Sequence, residues 1–143
     1  MGHVRADIRA AVVTALTGLT TTGSRVLVDD QYPVEDVPAL VIKTSEENAG
    51  ESVEGIRQRA VGVSVEAVSK LTSGITAQLD QIALEVETAL AGSITVGGRQ
   101  LAVDYLGTDE PQLDGGSDRG VGRMTLRFRI TAFTSAASPG TLL

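Results

Sequence analysis

Apolar and polar residues alternate most regularly near the end of the chain. From Gly120 to Phe133, Met124, Leu126, Phe128, Ile130 and Ala132 hold even positions, while Arg123, Thr125, Arg127, Arg129 and Thr131 hold odd ones. Side chains alternate across a sheet with period two, so this segment predicts a strand with one face on a core and an arginine–threonine stripe on the other. At roughly 3.3 Å per residue it reaches about 40 Å, beyond the common strand and long enough to project past its own domain.

The same period recurs in Arg57 to Val68, with Val61, Val63, Val65 and Ala67 on one face; Gly62 on the other invites a bulge or a close neighbour. Arg25 to Asp29 and Ala39 to Thr44 predict two shorter strands, and the run Ala39-Leu40-Val41-Ile42 suits a strand covered on both faces. Ile94 to Val96 and Arg99 to Leu106 flank Gly97-Gly98, a two-residue hairpin signal.

Two stretches switch to helical spacing. Val4, Ile8, Val12 and Leu16 form one stripe, closed by Gly18 and the threonines after it. Ile75, Leu79, Ile82, Ala83, Val86 and Leu90 form a longer one that ends at Gly92, and this helix is expected to cover the sheet. Between the elements, Ser45 to Gly55 reads as an acidic mobile loop or hairpin tip, and Gly107 to Gly120 as a long acidic, glycine-rich loop. The expectation is one α+β domain over residues 1–134, with a mainly antiparallel sheet of about five strands and two helices, followed by a flexible tail over 135–143.

Composition narrows the chemistry. A chain of 143 residues fits one domain, and 42% hydrophobic with 21% charged residues is ordinary for a globular protein. Two Tyr, two Phe and no Trp leave the core to aliphatic side chains and give bases few stacking platforms. No cysteine is present, which removes disulfides, thiolate metal sites and cysteine nucleophiles. The first residues lack a basic region followed by an apolar one and no run approaches a membrane span, so a soluble, non-exported protein without membrane partners is expected. A net charge of −6 argues against general nucleic-acid affinity, which rests on neutralising phosphates.

Catalytic motifs are missing. One histidine and two lysines, Lys43 and Lys70, cannot assemble the usual nucleophile and base pairs, so an enzyme is not expected. Asp114 to Asp118 lacks the alternating ligands and terminal glutamate of a calcium loop, and Gly120-Val121-Gly122 precedes a strand rather than a helix, which does not suit a phosphate loop. Neither a metal nor a cofactor is expected. The charged residues fit contact surfaces better: Arg123, Arg127 and Arg129 on the last strand, and Glu46, Glu47, Asp109, Glu110, Asp114 and Asp118 on the acidic loops, are the candidates for a subunit or partner interface.

The element order, with Val4-Arg5-x-x-Ile8-Arg9, Thr20 to Val26 leading to Tyr32-Pro33, Pro38 to Ile42 followed by Glu46, and Leu79-Asp80-x-Ile82-Ala83-x-Glu85-Val86-Glu87, resembles the tail terminator, or tail-completion, proteins of long-tailed bacteriophages and related particles of the lambda-like type. The resemblance runs to about residue 134. It implies a non-enzymatic virion protein, assembled in the host cytoplasm and placed at the neck end of the tail. There a homo-hexameric ring would cap the tail tube, end its polymerisation and dock the head-tail connector, with DNA passing through but no sequence being read. A connector or stopper subunit of the neck is the alternative within that class; a small-ligand-binding or enzymatic domain is the alternative outside it.

Overall fold

The computed structural model describes residues 3–28, 37–53, 55–70, 74–114 and 121–143. Helix α1 (Val4–Leu16) is followed by β1 (Val26–Val28), the hairpin of β2 (Ala39–Val53) and β3 (Ile56–Lys70), and helix α2 (Ile75–Ala89). The hairpin of β4 (Gly92–Val96) and β5 (Arg99–Thr108), the short β6 (Gln112–Asp114) and β7 (Val121–Ser135) complete the order. The strands form one sheet, β1-β2-β3-β7-β5-β4, with β6 also on β7; β1 and β2 run parallel and every other pair antiparallel. Residues 29–36, which include Tyr32-Pro33, lie outside the described residues.

β7 is bonded along both edges. On one side it meets β3 from Val121↔Lys70 to Ser135↔Ile56. On the other it meets β6 over Val121–Arg123 and β5 over Leu126–Thr131, and then the end of the chain. Leu142 bridges Thr134, and the Leu143 N–H donates to the Phe133 carbonyl at 3.0 Å. The strand therefore does not project: a partner of equal length accompanies it to its end.

The even residues of β7 and the odd residues Val61, Val63, Val65 and Ala67 of β3 face the helices and are buried, while the arginine–threonine face points away. α2 lies over β3 and β7 through Leu79, Ile82, Ala83 and Val86. α1 buries Val4, Ile8, Val12 and Leu16 and touches β1 and β2 at one end of the strand order and β4 at the other, so the sheet curls around it. All of Ala39 to Ile42 is buried, in keeping with a strand covered on both faces. The His3 ring accepts the Arg5 N–H at the start of α1, and the hairpin glycines Gly97 and Gly98 have φ of 55° and 80°, the left-handed pair that a two-residue turn requires.

Two segments differ from their sequence reading. Ser45 to Val53 is not a mobile loop but the second half of β2, the outer part of the β2–β3 hairpin whose turn lies at Gly55 with φ 80°, so the hairpin reading is the nearer of the two. Composition misleads here because β3 supplies both a backbone partner and basic side chains: Ala49 lies opposite Arg59 and Ser52 opposite Arg57. The register jumps from Thr44↔Val63 to Glu47↔Val61, so Ser45 and Glu46 together oppose Gly62 in a β-bulge. A Cβ at residue 62 would collide with the Ser45 side chain, which is why the glycine stands there. Gly107 to Gly120 is likewise structured in part. Gly107, at φ 144°, forms a second bulge that carries β5 on to Thr108, and β6 follows.

The first bulge reverses which side chains face the helices. Glu47 turns inward and binds Arg59, Oε2 to Nη1 at 2.7 Å, while Arg59 Nε donates to Thr134 Oγ1 at 2.9 Å. Arg59 is 8% exposed, so this is a largely buried ion pair at the end of the core.

Two substitutions test this architecture. Leu79→Asp places an unpaired charge where α2 meets the sheet and is expected to cost several kcal/mol, enough to abolish a cooperative urea transition in a marginally stable domain. Arg59→Met strands Glu47 and is expected to cost about 3–5 kcal/mol in urea unfolding, whereas Arg59→Met with Glu47→Leu should recover most of it.

Candidate functional site

The face of the sheet that carries no helix gathers the arginines singled out by sequence. Strand alternation sets Arg123, Arg127 and Arg129 in a row on β7, with Thr125 between the first two and Thr131 beyond the last. Each has a carboxylate within the same chain. Arg123 Nη1 is 3.7 Å from Glu66 Oε1 on β3, Arg129 Nη2 is 3.4 Å from Asp104 Oδ2 on β5, and Arg127 Nη2 is 3.2 Å from Asp109 Oδ1. The last pair depends on the second bulge, since Gly107 faces Arg127 and the Asp109 N–H then donates to the Thr125 carbonyl at 2.9 Å. The Arg127 and Arg129 pairs are about half exposed, a setting in which an ion pair contributes about 0–1 kcal/mol.

The remaining candidates divide. Glu110 and Glu46 are exposed, the latter at the first bulge. Glu47 is turned toward Arg59 by that bulge and lies in β2, which corrects its placement in a loop. Asp114 lies in β6 opposite Val121, and Asp118 lies outside the described residues. Sequence alone did not identify Glu66 and Asp104 as partners of the arginines. Their signal is cross-strand, and becomes visible only once the β3–β7 and β5–β7 registers are known.

Among the described residues, two hollows on the helix side have ionisable groups in their walls. One, of about 690 Å³, lies between α1 and β4; its walls include Ala10, Ala11, Ala15, Ile94 and Val96 and the polar Thr14, Ser93 and Thr95, with Asp7 as the ionisable group among them. The other, of about 390 Å³, lies between Gly18–Thr20 and α2 and contains Glu85. That carboxylate accepts the Thr21 N–H at 2.9 Å, the Thr21 hydroxyl at 2.6 Å and the Gln81 amide at 3.0 Å. Burial pushes the Glu85 carboxyl up, but the bonds from Thr21, Gln81 and the Thr20 N–H together outweigh it and hold the group below its usual value of 4.5. Glu85 thus fastens the loop after α1 to α2. Among the described residues no group of three or more His, Cys, Asp or Glu side chains could hold a metal ion, and no helix is long and apolar enough to cross a membrane.

The fold has counterparts among solved structures. The chain is similar to a chain of the virion of a native gene transfer agent particle, with 20% identity, a TM-score of 0.55 and 90% of each chain covered. A second solved chain is 15% identical, with a TM-score of 0.50, covering 89% of this chain and 92% of that one. No protein-family model and no curated protein matches the chain. The likeness at these identities is one of fold: two helices packed on a curled, mainly antiparallel sheet.

The Glu85 contact gives a pH prediction. A carboxyl whose folded pKa is lowered contributes stability that is present above its unfolded pKa and lost as pH falls through the folded value. The stability gap between wild type and Glu85→Gln, from urea unfolding, is therefore expected to be widest near neutral pH and to close as pH drops below about 4.5.

Proposed function

We propose that this protein is a structural component of a tailed, DNA-carrying particle, and that it acts as a tail terminator: a ring, hexameric in this reading, that caps the tail tube and docks the head connector. The observation that carries the reading is the shared fold over 90% of both chains with a component of a gene transfer agent virion. The sequence resemblance to tail-completion proteins supports the same assignment independently. The helix-free face, with its exposed arginines and carboxylates, supplies the chemistry for contacts between copies.

Charge sets the condition for assembly. Six copies at −6 each carry −36, so a ring needs local charge pairing as well as apolar contact. Arginine suits such a seam because its planar fork binds carboxylates in two bonds and sheds water more readily than lysine. Within one chain Arg127 and Arg129 use one terminal nitrogen each on Asp109 and Asp104, and both remain about half exposed. That leaves donors for a neighbour's carboxylate, and Glu110 and Glu46 are exposed to meet them.

Native mass spectrometry across a salt series tests the reading. Wild type is expected to form a ring whose fraction falls as salt rises; a monomer at every protein concentration, with and without tube protein, would reject the ring. Arg127→Glu with Arg129→Glu is expected to leave the melting transition within about 2 kcal/mol of wild type, since only two exposed pairs are lost, yet to reduce the ring fraction. A double variant that assembles like wild type would take these arginines out of the seam.

A further inference from the structure

The outer edge of β5 is left open over part of its length. β4 covers it only from Arg99 to Val103, the last pair being Gly92↔Val103. From Asp104 to Thr108, β5 has β7 on one side and, among the described residues, no strand on the other. β6 continues the same line along β7 and is open on the same side. Backbone N–H and C=O groups on such an edge are a template for one more strand.

The side chains along this step are more apolar at their exposed positions than those of β4, the strand beside it. Tyr105, Leu106 and Leu113 are 48%, 50% and 57% exposed, and they make up three of the seven large exposed hydrophobic residues among the described residues. Tyr105 leans on Phe128 with ring centroids 5.6 Å apart, and Leu113 lies across from Gly122, where a Cβ would meet both Leu113 and Ile75 of α2. On β4, by contrast, the exposed positions are Gly92, Ser93 and Thr95. No lysine or proline guards Asp104 to Thr108, although these are common means of blunting an edge. Carboxylates rim the step: Asp104 and Asp109 each share a bond with one arginine, and Glu110 is exposed beside them.

We infer that the open edge Asp104–Thr108, extended by β6, is a strand-addition site for an extended segment of another protein in which apolar residues alternate with lysine or arginine. The backbone dictates the extended form, Tyr105, Leu106 and Leu113 dictate the apolar positions, and the rim of carboxylates dictates the charge. A second copy is the poorer occupant, because a chain with 18 acidic and 12 basic residues brings carboxylates to carboxylates. The site does not depend on ring closure, which involves the arginine face and is read by mass.

The test uses the whole protein and synthetic peptides of about six residues, the length of a common strand, alternating valine with lysine. Backbone amide spectra and hydrogen exchange are expected to show shifts and slowed exchange at residues 104–108 and 112–114. The same peptide with glutamate for lysine should bind at least about tenfold more weakly, and a central proline, which removes a donor, should abolish the protection. Tyr105→Ser with Leu113→Ser, both about half exposed, should weaken binding at least about fivefold while the protein keeps a cooperative, if lower, melting transition. No perturbation of these amides at millimolar lysine peptide, or equal binding of the acidic one, would overturn the inference. Protection that grows with protein concentration in the absence of peptide would give the edge to a second copy and overturn the choice of partner.

Discussion

Everything in this fold hangs on the double-sided pairing of β7. A strand bonded along both edges cannot slip by one residue without turning its whole apolar set, Met124 to Ala132, from the core to solvent. β3 fixes the register over all fifteen residues of β7, while β6, β5 and the end of the chain occupy the opposite edge in turn. The two helices can then be simple: each needs only one apolar stripe at the right spacing, because the sheet that receives it is already set. The curl that brings β1, β2 and β4 to α1 closes the core without a third layer.

Against that rigid centre, the two bulges do the adapting. At Ser45 and Glu46, one extra residue in β2 changes which parity faces inward, and an acidic residue that would have met water is delivered into the protein beside Arg59. A buried ion pair is weak evidence for stability, since desolvation offsets much of its attraction, but its loss on one side is costly. Its effect is to make any alternative β2 register expensive, because slippage would leave Arg59 buried without Glu47. At Gly107 the second bulge lengthens β5 past its hairpin partner, brings Asp109 to Arg127, and leaves the open edge behind it.

What could be read from the sequence was whatever is periodic. The stripes Val4 to Leu16 and Ile75 to Leu90 and the alternation in Arg57 to Val68 and Gly122 to Ala132 each repeat often enough to fix element type and inward face. A bulge is a single event with no period, so its only trace was Gly62, and that glycine gave the place of the bulge but not the strand that carries it. The mobile-loop reading of Ser45 to Val53 failed because charge and glycine content describe solvent exposure, and a strand whose neighbour supplies arginines can be both exposed and ordered. The arginine stripe was legible as a face. Its carboxylate partners Glu66 and Asp104 were not, since they lie 57 and 25 residues away and meet the arginines only through register.

The pairing of the arginines changes what the helix-free face can attract. An unpaired row of three guanidinium groups on an open sheet face would attract any polyanion, including nucleic acid. With Glu66, Asp104 and Asp109 beside them the face is close to neutral, so nonspecific attraction is suppressed. Because the Arg127 and Arg129 pairs are exposed, each is worth little, and a neighbour offering better geometry can displace or share it at small cost. Weak internal pairing of this kind favours a partner that is shaped to fit over one that is merely charged.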